Sequence, residues 1–163
     1  MKIRSSTLWR VPAFCLVSSW VSFYLTVYLG RYFFIVKTAG ADGAIEVSAD
    51  PFRSAIFSGG LFLMILLLGG LRAFRTMTKA EIAVSASMIS AVYLLLALVQ
   101  LYLPDFSPSI GVRLAVFQQW IGVMGSVLLK VTGHFNLSIL LASFAPFLFV
   151  PFGKKAIHTS EQI

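Results

Sequence analysis

Residues 61–68 read LFLMILLL, eight consecutive apolar side chains, and a pair of glycines stands on either side at residues 59–60 and 69–70. The apolar stretch around this core covers residues 54–71. That length is close to the roughly 20 residues with which an α-helix crosses the ~30 Å hydrocarbon core of a bilayer. The stretch therefore predicts a transmembrane helix.

Four more apolar runs surround this one, at residues 11–36, 80–103, 111–129 and 135–152. The chain of 163 residues is 58% hydrophobic and 12% charged, with a mean hydropathy of +0.89. Soluble domains have about 45–50% apolar and about 25% charged residues. We therefore predict an all-α fold, a polytopic α-helical membrane bundle with five transmembrane helices. A single transmembrane domain covers residues 1–163.

Polar and helix-breaking residues separate the five runs. The connection at residues 37–53 holds three of the six acidic residues and predicts a loop with one short extended piece at residues 44–47. Pro104 and Pro108 end the third run, because proline removes a backbone donor and clashes with the preceding helical turn. Gly133 marks a break between the last two runs.

The fourth run is amphipathic and gives two possible topologies. At 100° per residue its polar side carries Gln118, Gln119, Gly122 and Ser126. A helix lying on the membrane surface normally has a strongly charged polar face, which this run lacks. We therefore favour a fifth span with its polar side inside the bundle and Trp120 on the opposite side. The alternative is four spans plus one interfacial amphipathic helix at about residues 111–130.

The basic residues predict the orientation. Lys and Arg are enriched in cytoplasmic loops, so the amino terminus and the connection at residues 72–79 should be cytoplasmic and residues 42–50 outside. Five spans place Lys154 and Lys155 outside, against this rule, whereas four spans place them inside. Compact loops and short tails favour a bacterial plasma membrane.

Small residues at a spacing of four predict where helices contact each other, because they allow close approach in lipid. The first, third and fourth runs each contain such a stripe. The predicted packing residues are Ser18, Ser22, Thr26, Gly30, Ala83, Ser87, Ala91, Gly122 and Ser126.

Uncharged amides are the best candidates for ligand contacts. Ionisable groups at mid-membrane usually mark transport or proton relays, and the runs carry none near their middles. Gln100, Gln118 and Gln119 together with Arg113 predict a shallow polar pocket. The alternative role for these amides is hydrogen bonding between helices, at about 0.6 kcal/mol per contact.

Catalytic and metal-binding patterns are scarce. The single cysteine, Cys15, excludes an intrachain disulfide, and His134 and His158 lie far apart in different contexts. No HExxH, GxSxG or phosphate-binding glycine loop occurs. We predict no catalytic residue, no metal and no cofactor. The net charge of +7 comes from residues at the ends of apolar runs, which argues against a nucleic-acid partner.

Three functions remain open. The favoured one is a non-enzymatic accessory or assembly subunit that depends on other membrane subunits or on further copies of itself. The second is a small transporter or permease component that uses the predicted amide pocket. The third is a membrane-embedded lipid-modifying enzyme that uses His134 or an acidic residue of the first outer loop.

Overall fold

The computed structural model describes residues 5–39, 45–102 and 108–154. The first half contains a short helix, a long helix, a β-hairpin and a second long helix: α1 (Ser5–Leu8), α2 (Arg10–Phe33), β1 (Ile35–Ala39), β2 (Ile45–Ala49) and α3 (Pro51–Leu68). A π-helical turn, Gly69–Ala73, extends α3. The second half contains three helices and a 3₁₀ segment: α4 (Lys79–Tyr102), α5 (Pro108–Thr132), α6 (Phe135–Ala142) and Ala145–Phe152.

Within the described residues, four helical stretches are long and apolar enough to cross a membrane: Arg10–Phe33, Pro51–Ala73, Lys79–Tyr102 and Phe135–Phe152. The mainly helical fold is therefore confirmed, with four candidate membrane spans. The predicted count of five spans is not confirmed, because α5 is not among the four.

Local chemistry explains where several helices begin and end. Asp50 caps α3 by accepting hydrogen bonds from the backbone N–H groups of Phe52 (2.9 Å) and Arg53 (3.2 Å), and a proline follows it at the first helical position. Thr78 and Glu81 form a capping box at the start of α4. The Thr78 N–H donates to Glu81 Oε2 (2.9 Å), and the Glu81 N–H donates to Thr78 Oγ1 (3.3 Å).

The β-hairpin replaces most of the predicted loop. Strands β1 and β2 pair antiparallel from Ile35 with Ala49 to Ala39 with Ile45. The Asp50 N–H donates to the Phe34 carbonyl (2.8 Å) and closes the base of the hairpin. Residues 35–36 were predicted as helix, but their β-branched side chains favour an extended backbone once α2 has ended. Residues 40–44, which include Asp42, lie outside the described part.

Contacts at one end of the bundle join three distant parts of the chain. The Arg10 guanidinium donates to Thr76 Oγ1 (3.2 Å). The Lys154 N–H donates to the Met77 carbonyl (3.0 Å), and the Lys79 N–H donates to the Lys154 carbonyl (3.1 Å). We call this the basic end, since five exposed basic residues lie at it: Arg10, Arg72, Arg75, Lys79 and Lys154.

The opposite end, which we call the hairpin end, holds the β-hairpin and the start of α3. Helices α3 and α5 face each other across a cavity whose wall includes Pro51 and Ser54 of α3 and Lys130 of α5. Ser58 and Gln119 line a smaller gap near the Phe62–Trp120 stack, so α5 runs antiparallel to α3. Helix α5 therefore ends at the hairpin end. Gly133 makes the turn into α6 with a φ of +67°, a left-handed conformation that favours glycine.

Aromatic side chains fill the centre of the bundle. Trp120 is 1% exposed and stacks on Phe62 (ring centroids 5.4 Å apart), and it also contacts Phe149 (5.6 Å). Phe149 continues the cluster to Phe74 (4.9 Å) near the basic end. The sequence predicts that Trp120 lies opposite the polar stripe of α5 and faces lipid or another helix. The structure buries Trp120 against protein, because its ring fills the space between α3 and the 3₁₀ segment.

Candidate functional site

The predicted pocket residues come from two helices. Gln100 lies two residues before the end of α4, and Gln118 and Gln119 are neighbours near the middle of α5. Arg113 belongs to α5 by its backbone, and its side chain lies outside the described part of the structure.

Gln100 and Gln118 line one cavity of about 180 Å³ between α4, α5 and α6. The rest of its wall is mainly apolar and includes Ile121, Leu129 and Ile139. Gln118 Nε2 is shielded from solvent and has no hydrogen-bond partner among the described residues. The structure thus brings together two of the four predicted residues.

Gln119 lies in a different cavity. This space, of about 600 Å³, separates α3 from α5 and is lined by Ser54, Ser58 and Lys130 at the hairpin end. Neighbouring residues on an α-helix point about 100° apart, so Gln118 and Gln119 face different helices. The single predicted amide pocket is therefore divided into two.

No family model matches the chain, and no curated protein or solved structure does.

The small-residue stripe of α2 lies on its buried side. Ser18 is 7% exposed and Ser22 is 3% exposed, and Gly30 is also buried. Thr26 is partly buried and shares a small gap with Ser22 and Gln119. This side of α2 therefore faces the rest of the chain.

Helix α4 buries a different side from the one predicted. Ala83 is half-buried, and Ser87 and Ala91 are exposed. The Ser87 hydroxyl donates to the Ala83 carbonyl of its own helix (2.9 Å). The buried side is the adjacent one, which combines Ser and Ala with larger apolar residues: Ile82, Ser85, Ala86, Ile89, Ser90, Tyr93 and Ala97.

Gly122 and Ser126 of α5 are exposed and lie between the two cavities, since both residues line each of them. The Ser126 hydroxyl donates to the Gly122 carbonyl (2.9 Å). The predicted packing stripe at Gly122 and Ser126 therefore forms part of the walls of the two cavities and does not pack closely against another helix. A Cβ added to Gly122 would meet no atom within 4 Å.

The described residues contain no group of three or more His, Cys, Asp or Glu side chains that could hold a metal ion. Cys15 is buried and His134 is exposed at the α5–α6 turn. Glu81 is engaged in the capping box of α4. His158 and the Glu46 side chain lie outside the part that the structure describes.

One feature of α2 was not predicted as a site. Trp20, Tyr24 and Tyr28 form a ladder of rings on its outward side, with centroids 4.8 Å and 6.0 Å apart along the ladder. Their exposed fractions are 54%, 41% and 59%. The spacing of four residues between aromatic side chains was the signal in the sequence. We call these three residues the aromatic ladder.

Proposed function

We propose that the chain is a non-enzymatic accessory or assembly subunit whose activity depends on a partner membrane protein. The aromatic ladder of α2 is the observation that carries this proposal. It faces away from the bundle, and its three side chains are 41% to 59% exposed within the described part of the chain.

Lipid is an unsuitable neighbour for the aromatic ladder, because Trp20 and Tyr24 lie deep in the hydrocarbon core. At 1.5 Å per residue, Trp20 lies about 15 Å from Arg10 and about 20 Å from Phe33, close to the middle of a ~30 Å hydrocarbon core. Tyr24 lies about 6 Å further along. Tryptophan and tyrosine are normally enriched at the two membrane interfaces, where their polar atoms reach water.

Polar hydrogens at this depth need acceptors that acyl chains do not offer. Side chains on a helix lean toward its amino terminus, so the Tyr24 ring leans toward the membrane centre rather than toward the nearer interface. Carbonyl and hydroxyl oxygens on a neighbouring transmembrane helix would accept from the indole N–H and the phenol O–H. The occupant that we propose is therefore a transmembrane helix of a different subunit.

The proposed topology is four crossings with the basic end in the cytoplasm. The backbones of Lys154 and Lys79 are hydrogen-bonded, and Lys130 lines the same cavity as Pro51, so we assign Lys154 and Lys130 to opposite ends of the bundle. This arrangement agrees with the enrichment of Lys and Arg in cytoplasmic loops. It favours the four-span alternative, although α5 packs within the bundle rather than on its surface.

Chain length supports the same topology for α5. Residues 103–107 link Tyr102, at the hairpin end, to Pro108. The chain advances by at most about 3.6 Å per residue, so the six steps from Tyr102 to Pro108 keep these two residues within about 22 Å of each other. Helix α5 also finishes at the hairpin end, beside Pro51. Because both ends of α5 are restricted in this way, we propose that α5 is tilted inside the outer half of the bundle and does not cross.

The test is quantitative capture of partners in mild detergent from the native membrane. The double variant Trp20→Leu and Tyr24→Leu keeps the ladder apolar but removes its polar hydrogens. We expect the stoichiometric partner of the wild-type protein to be lost from this variant. The matched control is Leu63→Ala with Leu67→Ala, which alters an exposed and purely apolar side of α3.

Two results would refute the proposal. One is recovery of the same partner with both double variants, and the other is a wild-type protein that purifies as a monomer or only with copies of itself. Loss of the partner from the α3 control as well would indicate a general loss of folding, which a thermal unfolding scan of each variant detects.

A further inference from the structure

The basic end has an excess of positive charge. Its five exposed Lys and Arg residues are accompanied by one acidic residue in the described part of the chain, Glu81, whose carboxylate is engaged in the capping box of α4. The ion pair that the described residues form, Arg53 with Asp50, lies at the hairpin end. The basic end therefore offers net positive charge to an anion.

Arg10 is held in a defined position at this end. Its guanidinium donates to Thr76 Oγ1 (3.2 Å), and this bond connects the start of α2 to the segment between α3 and α4. Arginine carries five N–H donors, so the others remain available to a second acceptor. A guanidinium binds phosphate oxygens well, because its planar fork matches two of them at once. Arg72 and Arg75 are exposed in the same segment.

An apolar cleft of about 400 Å³ adjoins Arg10 on the outward side of α2. The other residues of its wall are all apolar: Ala13, Phe14, Val17, Ala73 and Phe74. Arg10, Ala13 and Val17 are spaced by three and four residues, so they lie on one side of the helix. At 1.5 Å per residue, Val17 lies about 10 Å from Arg10 along the helix axis. The cleft therefore runs from the charged end toward the middle of the bundle.

The cleft is open to its surroundings and has a firm floor. Ala13 and Val17 are exposed, so a hydrocarbon chain beside α2 reaches their side chains directly. Phe14 is half-buried and packs edge-to-face on the buried ring of Phe74 (centroids 5.2 Å apart). Orientation of a membrane protein requires Lys and Arg on one side, but it does not require an apolar cleft beside one of them.

Charge and shape together restrict the occupant. A hydrocarbon alone would fill the cleft without using the cations, and a small free anion would bind the cations without covering the apolar wall. A phospholipid joins a phosphate to an acyl chain in the order that the cleft requires. Clustered Lys and Arg at a membrane surface attract anionic lipids. A zwitterionic lipid carries its own cation in the head group, which the five basic residues repel.

We propose that this cleft binds one anionic phospholipid, with its phosphate accepting hydrogen bonds from Arg10 and one acyl chain lying against Ala13 and Val17. The cleft ends at Val17, and the aromatic ladder begins at Trp20. The lipid and the proposed partner helix would therefore occupy successive parts of α2.

Two variants test the two halves of the site, and each has a matched control. Arg10→Gln removes the charge and keeps an amide that can bond Thr76, whereas Arg31→Gln makes the same change at the other end of α2. Ala13→Phe fills the cleft and leaves every charge in place. Ala91→Phe adds the same bulk to the exposed side of α4.

The experiment uses the full chain purified in a mild non-ionic detergent. Phosphatidylglycerol or phosphatidylcholine with identical acyl chains is added over a concentration series, and native mass spectrometry measures the occupancy of the first bound lipid. Because no partner is needed for this measurement, its result does not depend on the role proposed for the aromatic ladder. We expect the wild-type chain to bind phosphatidylglycerol about tenfold more tightly than phosphatidylcholine, a difference of about 1.4 kcal/mol.

The variants decide whether the cleft is the site. We expect Arg10→Gln to weaken the binding of phosphatidylglycerol about tenfold, again about 1.4 kcal/mol, and Ala13→Phe to weaken it to a similar extent. Both control variants should keep the wild-type affinity. Equal affinities for the two lipids would overturn the proposal. So would an unchanged affinity in Ala13→Phe, since diffuse charge would then explain the binding, or equal losses in the test variants and their controls.

Discussion

Gly153→Ala places one methyl group in the contact that joins the carboxyl-terminal segment to the start of α4. An added Cβ would lie 2.8 Å from both Cα and N of Lys79, and 2.9 Å from Cδ1 of Ile82. Ordinary van der Waals contact begins at about 3.4 Å, so the two backbones must separate by about 0.6 Å (3.4 − 2.8). Backbone atoms of a helix start cannot rotate away as a side chain does.

The cost of this variant is steric. The φ of Gly153 is −68° and its ψ is 151°, which alanine adopts without strain. Separation weakens the two backbone hydrogen bonds between Lys154 and the segment containing Met77 and Lys79. Overpacking of this kind usually costs about 1–3 kcal/mol. A loss of about 2 kcal/mol in the free energy of unfolding lowers the ratio of folded to unfolded protein by up to about 30-fold.

The assay is reversible unfolding in mixed micelles with increasing SDS, followed by tryptophan fluorescence. Trp120 is buried between aromatic rings, so its emission changes when the bundle opens. The control is Gly60→Ala in the middle of α3, where an added Cβ meets no atom within 4 Å. We expect the control to be neutral or stabilised by about 0.5–1 kcal/mol, as for alanine in a helix. Equal stabilities of wild type and Gly153→Ala would refute the described contact.

Two further predictions concern helix capping and packing. Thr78→Ala removes one half of the capping box of α4 and should cost about 1 kcal/mol in the same unfolding assay; an unchanged midpoint would contradict the capping role. Ser22→Leu puts bulk into the buried side of α2 and should cost about 1–3 kcal/mol, whereas Ser87→Leu on the exposed side of α4 should change the midpoint little. Equal effects of the two leucines would show that the buried sides are assigned incorrectly.

The sequence predicted helices where apolar runs are long, because hydrocarbon thickness requires such lengths whatever the packing. The run at residues 80–103 corresponds to Lys79–Tyr102, and that at residues 135–152 to α6 with its 3₁₀ extension, Phe135–Phe152. The β-hairpin was mostly missed. Its first strand follows α2 after a single residue, so the apolar run continues through the boundary between them.

Helix faces were harder to predict than helix positions. In lipid, both the buried and the exposed sides of a helix are apolar, so periodicity says little about which side packs. For this reason the sequence left open whether Trp120 faces lipid or another helix, and it assigned Ser87, which is exposed, to a packing stripe. The two amides at residues 118–119 were expected to share a pocket, but adjacent positions on a helix face different neighbours.

Pairing between distant segments was not predictable from local sequence. Thr78 and Lys154 form an isolated parallel β-bridge, although most of the second half of the chain separates them in sequence. No residue pattern near either one indicates this pairing. That bridge decides on which side of the bundle the carboxyl-terminal segment ends. The charge of Lys154 favours the end that holds Arg72 and Lys79, where the bridge places it, whereas the count of five apolar runs favours the opposite end.

Cysteine accessibility tests the four-crossing topology most directly. In a Cys15→Ala background, Lys79→Cys, Lys130→Cys and Lys154→Cys are each exposed to a membrane-impermeant maleimide, in intact cells and after permeabilisation. The topology predicts that position 130 reacts in intact cells, and that positions 79 and 154 react only after permeabilisation. Reaction of position 154 in intact cells while position 79 stays protected would contradict it.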